Sequence, residues 1–318
     1  MTRECARGDA PALPPVIALF GATGLGKTDV AVELAERLDA DIVVADSMQV
    51  YRGLPILTNQ PTAAQRARAR FHLVGVLPPS AESSVAAYAE LAHTAIDDAL
   101  ARGVRVIVEG GSGLYLRAAL GELAFAGRPD PARRRELEAA WAREPGGLVG
   151  ELCSLDPATA ARLDLANPRR VIRALEAVRS LGRALGPAER GALWRPPERY
   201  PHRLVALAPQ RELLRERIDA RVDAMIAAGA LDEVRRARAA GPLARTVVQT
   251  IGVRELAAVL DGEESLDEAV SAMKSRTHAL VRRQLTWLRK LPAALTVSTG
   301  VRRPAAIAAD IAARLAEG

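Results

Sequence analysis

VIALFGATGLGKT, residues 16–28, opens with five consecutive apolar side chains, 16–20. A run of that length, bounded by a glycine, predicts a short buried strand. Gly21, Gly26, Lys27 and Thr28 then satisfy the spacing G-x-x-x-x-G-K-[ST], and from Thr28 onward Val30, Leu34 and Leu38 recur every fourth residue as in a helix. Strand, glycine-bearing loop and helix in that order are the context in which this motif cradles phosphate. The glycines let several backbone N–H groups converge on one anion, the helix N-terminus adds its dipole, and Lys27 adds a full charge. Lysine occurs otherwise only at Lys274 and Lys290, arginine being used elsewhere. A compact ammonium retained at this position suits a site that needs a point charge rather than a planar fork.

Working outward, the chain alternates strands and helices. The helix over 28–38 leads to a second strand, 41–45, that runs into Asp46-Ser47-Met48-Gln49-Val50-Tyr51-Arg52-Gly53. Ligands of open parallel sheets sit beyond the carboxyl ends of strands, so Asp46 falls on the same edge as the phosphate loop. Its alternative role is to cap the segment that follows. Residues 54–62 carry the turn formers of a loop. The apolar run 71–77 predicts another strand, in which His72 is structural, and 83–102 predicts an amphipathic helix ended by Gly103. The buried run 104–108 is followed by Glu109, Gly110, Gly111, Ser112 and Gly113. That second glycine cluster is either a tight strand-to-helix turn or another place where backbone approaches a ligand. Three such passes imply a doubly wound α/β core, a P-loop NTPase-like parallel sheet with helices on both faces.

Beyond residue 121 the texture becomes helical and arginine-rich. Asp130-Pro131 opens one helix, with Arg133, Arg134 and Arg135. Asn167 as N-cap and Pro168 at the first helical position open another, running to Leu181 before Gly182, with Arg169, Arg170 and Arg173 near its start. A solvated face and a nucleic-acid contact are equally compatible with those arginines. A strand is expected at 203–208, a helical stretch at 212–239 broken at Gly229, a glycine-containing turn at 249–255, and a long helix at 265–291 that opens with a Ser265–Glu268 capping box. The organisation expected is a disordered tail, 1–15, a core formed by 16–121 and 198–318, and a mostly helical insertion, 122–197.

Composition narrows the function. Of 318 residues, 49% are hydrophobic, enough for a core, and the formal net charge of +6 leans toward an acidic partner, nucleic acid above all. Aromatic residues are only 3%, which argues against a base-stacking platform of the single-strand-binding kind. Cys5 and Cys153 fit no metal spacing or disulfide framework, so a reducing, cytoplasmic setting is expected. No run of apolar residues is long enough to span a membrane.

The strings GATGLGKT at 21–28, DSMQVYRGL at 46–54, GGSGLYLRAAL at 110–120, NPRRVIRALEAV at 167–178, RERIDARVDAM at 215–225, TIGVREL at 250–256 and RRQLTWLRK at 282–290 occur in one order along the chain. Together they closely resemble the bacterial tRNA dimethylallyltransferases, the IPP transferase family, from about residue 16 to 291. The resemblance implies transfer of a dimethylallyl group from dimethylallyl diphosphate to N6 of adenosine 37, beside the tRNA anticodon. It implies that Gly21, Ala22, Thr23, Gly24, Leu25, Gly26, Lys27, Thr28 and Arg221 hold the diphosphate and that Mg²⁺ binds at Thr28. Asp46 would be the general base, with Thr23 beside the reacting centre and Lys27 and Arg221 supporting the leaving group. It implies tRNA contacts at Asp46, Ser47, Met48, Gln49, Ser112, Arg134, Arg169, Arg170, Val171, Ile172, Arg173, Gln249, Thr250, Ile251, Gly252, Val253 and Arg254. The partners implied are the anticodon stem-loop of tRNA and dimethylallyl diphosphate, with no membrane, and the protein acting as a monomer.

The departures from the family pattern are few. Phe71-His72 replaces a frequent pair of histidines, Ser112 a threonine, Val253 a tyrosine and LTNQP at 57–61 a common GTAKP; Glu109 stands where an apolar residue is commoner. Two rival readings share the phosphate loop. A prenyltransferase of free adenine nucleotide would not need the long arginine-bearing C-terminal half. A small-molecule kinase would use Thr28 and an acid ending a later strand, such as Glu109, to hold Mg²⁺.

Overall fold

A computed structural model of the protein describes residues 15–122, 130–186 and 197–317, without the side chains of 131, 211 and 212. Residues up to Leu120 and from Arg199 onward form one compact unit, and Gly121–Glu198 forms another. The first is built on six strands: β1 (Val16–Gly21), β2 (Ala40–Val44), β3 (Phe71–His72), β4 (Arg105–Gly110), β5 (His202–Ala208) and β6 (Leu295–Ser298). They pair in parallel in the order β3-β2-β4-β1-β5-β6. β1 sits between β4 and β5 with Leu19 opposite Glu109 and Val205, so the loop after β1 leaves from near the middle of the carboxyl edge.

Every residue of β1 and β2 is buried, as expected of parallel strands covered on both faces. Ile17, Leu19, Ile42, Val44, Ile107, Val205 and Leu207 form one core with Val30 and Leu34 of helix Lys27–Leu38 and Ile307 and Ile311 of helix Pro304–Ala316. The alternate residues of the strands point the other way, where helices Val85–Ala101 and Gly113–Leu120 pack.

Several expectations change in detail. The strand expected over 71–77 is only two residues long, because Leu73 and Gly75 both take positive φ, 64° and 63°, and turn the chain out of the sheet. His72 is structural: its Nε2 lies 2.8 Å from Asp41 Oδ2. The loop expected at 54–62 holds a helical turn, Pro55–Thr58, and leads into helix Ala63–Arg68, which is opened by a Thr62–Gln65 capping box. The turn expected at 249–255 is shorter, since Val253 already begins helix Val253–Leu260 behind Gly252 at φ 99°. The 212–239 stretch divides as expected at Gly229, into helices Arg211–Ala227 and Ala230–Ala239. Strand β6 and helix Pro304–Ala316 have no counterpart among the sequence expectations.

Of the tail expected over 1–15, residues 1–14 lie outside the described residues, and the Pro15 carbonyl accepts a hydrogen bond from Val106 N at 3.0 Å. Residues 123–129 and 187–196 of the expected insertion also lie outside the described residues.

The second unit is helical: Pro131–Arg143, Pro145–Leu155, Pro157–Ala160 and Pro168–Leu181. Each starts with proline at its first position, where the missing N–H costs nothing. Asn167 accepts from Arg169 N and Arg170 N and so caps the last of them, which ends at Gly182 with φ 65°. Leu137, Leu148, Leu152, Val171, Leu175 and Val178 make its core. Among the described residues no helix is long and apolar enough to cross a membrane.

Candidate active site

The carboxyl ends of β1, β2 and β4 open into a cavity of about 670 Å³. Three segments of chain reach it directly from the sheet. After β1 comes the glycine loop, in which Gly24 and Gly26 take φ 89° and 70°, a region closed to most side chains. Gly26 caps helix Lys27–Leu38, which places Lys27 and Thr28 in its first turn. Leu25 turns its side chain into the core, so the loop offers backbone rather than bulk to the cavity. After β2 comes Asp46, whose Oδ1 accepts from Met48 N at 2.8 Å and Gln49 N at 3.3 Å. Asp46 therefore fixes the turn that follows, and among the described residues no hydrogen bond is made to its Oδ2. From the end of β4 come Gly110, Gly111, Ser112 and Gly113, all on the cavity wall.

The second glycine cluster has a packing reason. A Cβ at Gly110 would overlap the Ala45 carbonyl, one at Gly111 the Gln284 amide, and one at Gly113 the Trp287 ring. Gln284 and Trp287 belong to helix Leu266–Leu288, which closes the cavity from the far side together with Met273, Arg276, Thr277, Leu280 and Arg283. Gln284 Oε1 accepts from Thr23 N at 2.8 Å, tying the helix to the glycine loop across 261 residues of sequence. Arg276 is ion-paired with Glu255 and donates to Gln249 O at 3.0 Å, while Glu255 also accepts from Gly252 N at 2.9 Å. These bonds hold 249–252 at the cavity rim. Arg221, from helix Arg211–Ala227, completes the wall.

Lys27, Arg221, Asp46 and Glu109 bring opposed charges to the cavity. Burial pushes the Lys27 ammonium below its ordinary value, Glu109 and Asp46 pull it back up, and Arg221 pushes it further down. Burial likewise lowers Arg221, against the attraction of Asp46. Glu109 is raised by burial and held back by Lys27 and by the Thr28 hydroxyl, which donates to its Oε1 at 3.1 Å. Two cations whose charge is poorly solvated, facing a loop of N–H groups, make a site that gains from an incoming polyanion. Among the described residues no three His, Cys, Asp or Glu side chains gather as a metal cage.

Thr23, Lys27, Thr28, Asp46 and Arg221 are thus brought together, with Ser47, Met48, Gln49, Ser112, Gln249, Thr250 and Ile251 around them. Some expected contacts need correction. Val171 and Ile172 are 0% and 3% exposed and belong to the core of the second unit, and Val253 is buried behind the rim beside Gly252. Their side chains hold elements in place and have no free surface to offer a ligand. Arg169 and Arg170 are exposed, whereas Arg134 and Arg173 lie within 3.6 Å of Glu176. The sequence alone assigns no role to Arg276, Gln284 or Trp287. The recurrence of 273, 276, 277, 280, 284 and 287 at steps of three and four marks the helix face that carries them.

Fold and site together define an α/β protein of parallel strands, with a glycine loop, acids and cations facing one cavity. The chain belongs to the IPP transferase family: the family model described as IPP transferase matches residues 49–291. It is similar to a tRNA dimethylallyltransferase of Anaeromyxobacter dehalogenans, 44% identical over 278 residues that cover 86% of this chain and 92% of the relative. Among solved structures it is similar to the tRNA isopentenylpyrophosphate transferase of Bacillus halodurans, 33% identical, with a TM-score of 0.67 over 95% of this chain and 97% of that one. A eukaryotic dimethylallyltransferase acting on tRNA, 24% identical, shares the fold with a TM-score of 0.78 over 93% of this chain and 77% of that one.

Proposed function

We propose that the protein transfers the dimethylallyl group of dimethylallyl diphosphate to N6 of adenosine 37 of tRNA. The observation that carries this is the convergence of Asp46, Thr23, Lys27 and Arg221 on one cavity in a chain of this family. In the reaction N6 attacks the allylic C1, the C1–O bond breaks, its electrons leave with diphosphate, and the N6 proton passes to a base. The leaving group gathers negative charge, which the backbone of 21–28, Lys27 and Arg221 are placed to stabilise. The amine is weak because its lone pair is delocalised into the ring. Asp46 is the base, its Oδ1 anchored by Met48 N and Gln49 N so that Oδ2 remains to accept the proton; such help contributes about 10²–10⁴-fold.

Thr28 would hold Mg²⁺. A hydroxyl beside a carboxylate is a hard-oxygen donor set suited to that ion, which is usually bound by few protein groups together with substrate phosphates. Bound there, Mg²⁺ would supply charge neutralisation on the diphosphate. The adenine must leave its stack to reach a site of this depth. The rim residues Ser47, Met48, Gln49, Ser112 and 249–251 would receive it, and Arg134, Arg169, Arg170 and Arg173 of the helical unit would meet phosphates of the anticodon stem. The protein acts as a cytoplasmic monomer in this reading.

The test is to incubate the protein with dimethylallyl diphosphate, Mg²⁺ and bulk tRNA, digest the RNA, and look by mass for prenylated adenosine. Product on free adenine nucleotide instead, or consumption of ATP, would overturn the proposal.

A further inference from the structure

The last side chain of β4 is an acid that the strand's packing does not call for. Its predecessors Val106, Ile107 and Val108 are wholly buried and apolar, and Glu109 follows them at 1% exposure. Burying a carboxylate is costly unless each oxygen finds a partner. Oε1 has one, the Thr28 hydroxyl at 3.1 Å; Oε2 is buried and has none among the described residues. The Lys27 ammonium, whose charge acts on Glu109, donates its hydrogen bond instead to Ala22 O at 3.3 Å. An unpartnered buried oxygen lining a cavity marks a place where a ligand is missing.

The partner of Oε1 suggests which ligand. A hydroxyl that binds a cation through its oxygen must send its proton elsewhere, and Thr28 sends it to Glu109. We propose that Glu109 is the anionic half of a divalent-cation site shared with Thr28. Oε1 orients the hydroxyl so that its lone pairs remain for the ion, and Oε2 receives the ion or one of its water ligands. The inference rests on the reading of Thr28 given above and extends it: a hydroxyl paired with a carboxylate retains a cation before diphosphate arrives, which a hydroxyl alone would not.

Mn²⁺ serves as the probe, its unbound fraction followed by electron paramagnetic resonance, with the full chain and without tRNA. Wild type, Glu109→Gln and Glu109→Val are titrated with and without inorganic pyrophosphate. Valine continues the apolar run of β4, so at least one variant should fold, and thermal melting verifies it. The wild type should bind Mn²⁺ without pyrophosphate, and both variants should bind it about 10–100-fold more weakly, the usual cost of losing a group that orients a metal ligand. Pyrophosphate binding in the absence of metal should be unchanged or tighter in the variants, since a negative charge has been removed. That opposition separates the proposal from general damage to the site, which would weaken both ligands. Unchanged Mn²⁺ affinity in the folded variants overturns the inference and leaves the diphosphate reading standing. A wild type that binds neither probe overturns both.

Discussion

The two sides of the cavity are built by opposite means. The side formed by the loop after β1 is local: Gly21 to Thr28 are consecutive, two positive-φ glycines set the path, and the ligand-facing groups are backbone N–H, one ammonium and one hydroxyl. The facing side, on helix Leu266–Leu288, is assembled at long range. Gln284 reaches Thr23, Trp287 covers Gly113, and Arg276 braces Glu255 and Gln249. Neither side suffices. The loop can hold an anion wherever a strand and helix frame it, but its Thr23 N–H is oriented by a side chain from the other end of the chain. The glycine loop becomes one wall of a cavity here through what is packed against it.

This contrast can be broken at graded cost. Asp46→Asn leaves both sides intact and removes only the oxygen proposed to accept the proton, since asparagine can still accept from Met48 N and Gln49 N. Single-turnover prenyl transfer at saturating tRNA should fall by about 10²–10⁴-fold, roughly 3–5 kcal/mol of transition-state stabilisation. Binding of dimethylallyl diphosphate should survive. A rate close to wild type would remove Asp46 from the chemistry and leave it as a turn-former.

Gly113→Ala attacks the long-range side, because its new methyl meets the Trp287 ring. Overpacking of this kind costs about 1–3 kcal/mol. Thermal unfolding should move down, and Gly113→Ala combined with Trp287→Leu should recover part of the loss; an undisturbed melting temperature would mean the helix is free to retreat. Gln284→Leu should cost somewhat less, about 1–2 kcal/mol, by leaving Thr23 N without its acceptor. Its sharper readout is amide exchange at Thr23, which should accelerate while exchange in β1 does not change.

The smallest effect on the cavity belongs to the helical unit. Reversing the charge of Arg169 and Arg173 should flatten the salt dependence of tRNA binding, since every phosphate that the protein no longer neutralises takes about one unit from the slope. Dimethylallyl diphosphate binding should not respond. If both ligands weaken together, these arginines serve the protein's own structure, as the Arg173–Glu176 pair already does in part.

What could be read from the chain follows the same division. The loop, Asp46 and the parallel strands are legible because their causes lie within a few neighbouring residues. The apolar run 71–77 misled because Leu73 and Gly75 leave the strand for positive φ, which composition does not betray. β6 escaped notice because its four residues alternate between buried and exposed along an edge and gain meaning only against β5. The glycines at 110–113 were visible, but their reason was not: it lies in Ala45, Gln284 and Trp287, remote in sequence. Val171 recurs with Leu175 and Val178 at helical spacing, so its inward face is legible in the sequence, whereas for Ile172, beside the exposed arginines, only the packing of the second unit shows it.

The chain leaves the sheet unit and re-enters it at a single point. Arg199 N donates to Leu120 O at 3.0 Å, and beyond it Gly121 bridges Glu198 and Glu122 N donates to Pro197 O at 2.8 Å. A folded insertion pinched at its neck presents itself to the rest of the chain as a short tether. If it forms first, the connection that must close between β4 and β5 shortens by about three doublings. At about 0.6 kcal/mol per doubling, that spares the sheet about 1.8 kcal/mol of closure entropy. The insertion is then an assembly aid as well as a surface: cutting it out and joining Leu120 to Arg199 through a two-residue turn should leave the sheet able to fold, whereas replacing it with an unstructured segment of equal length should slow its folding.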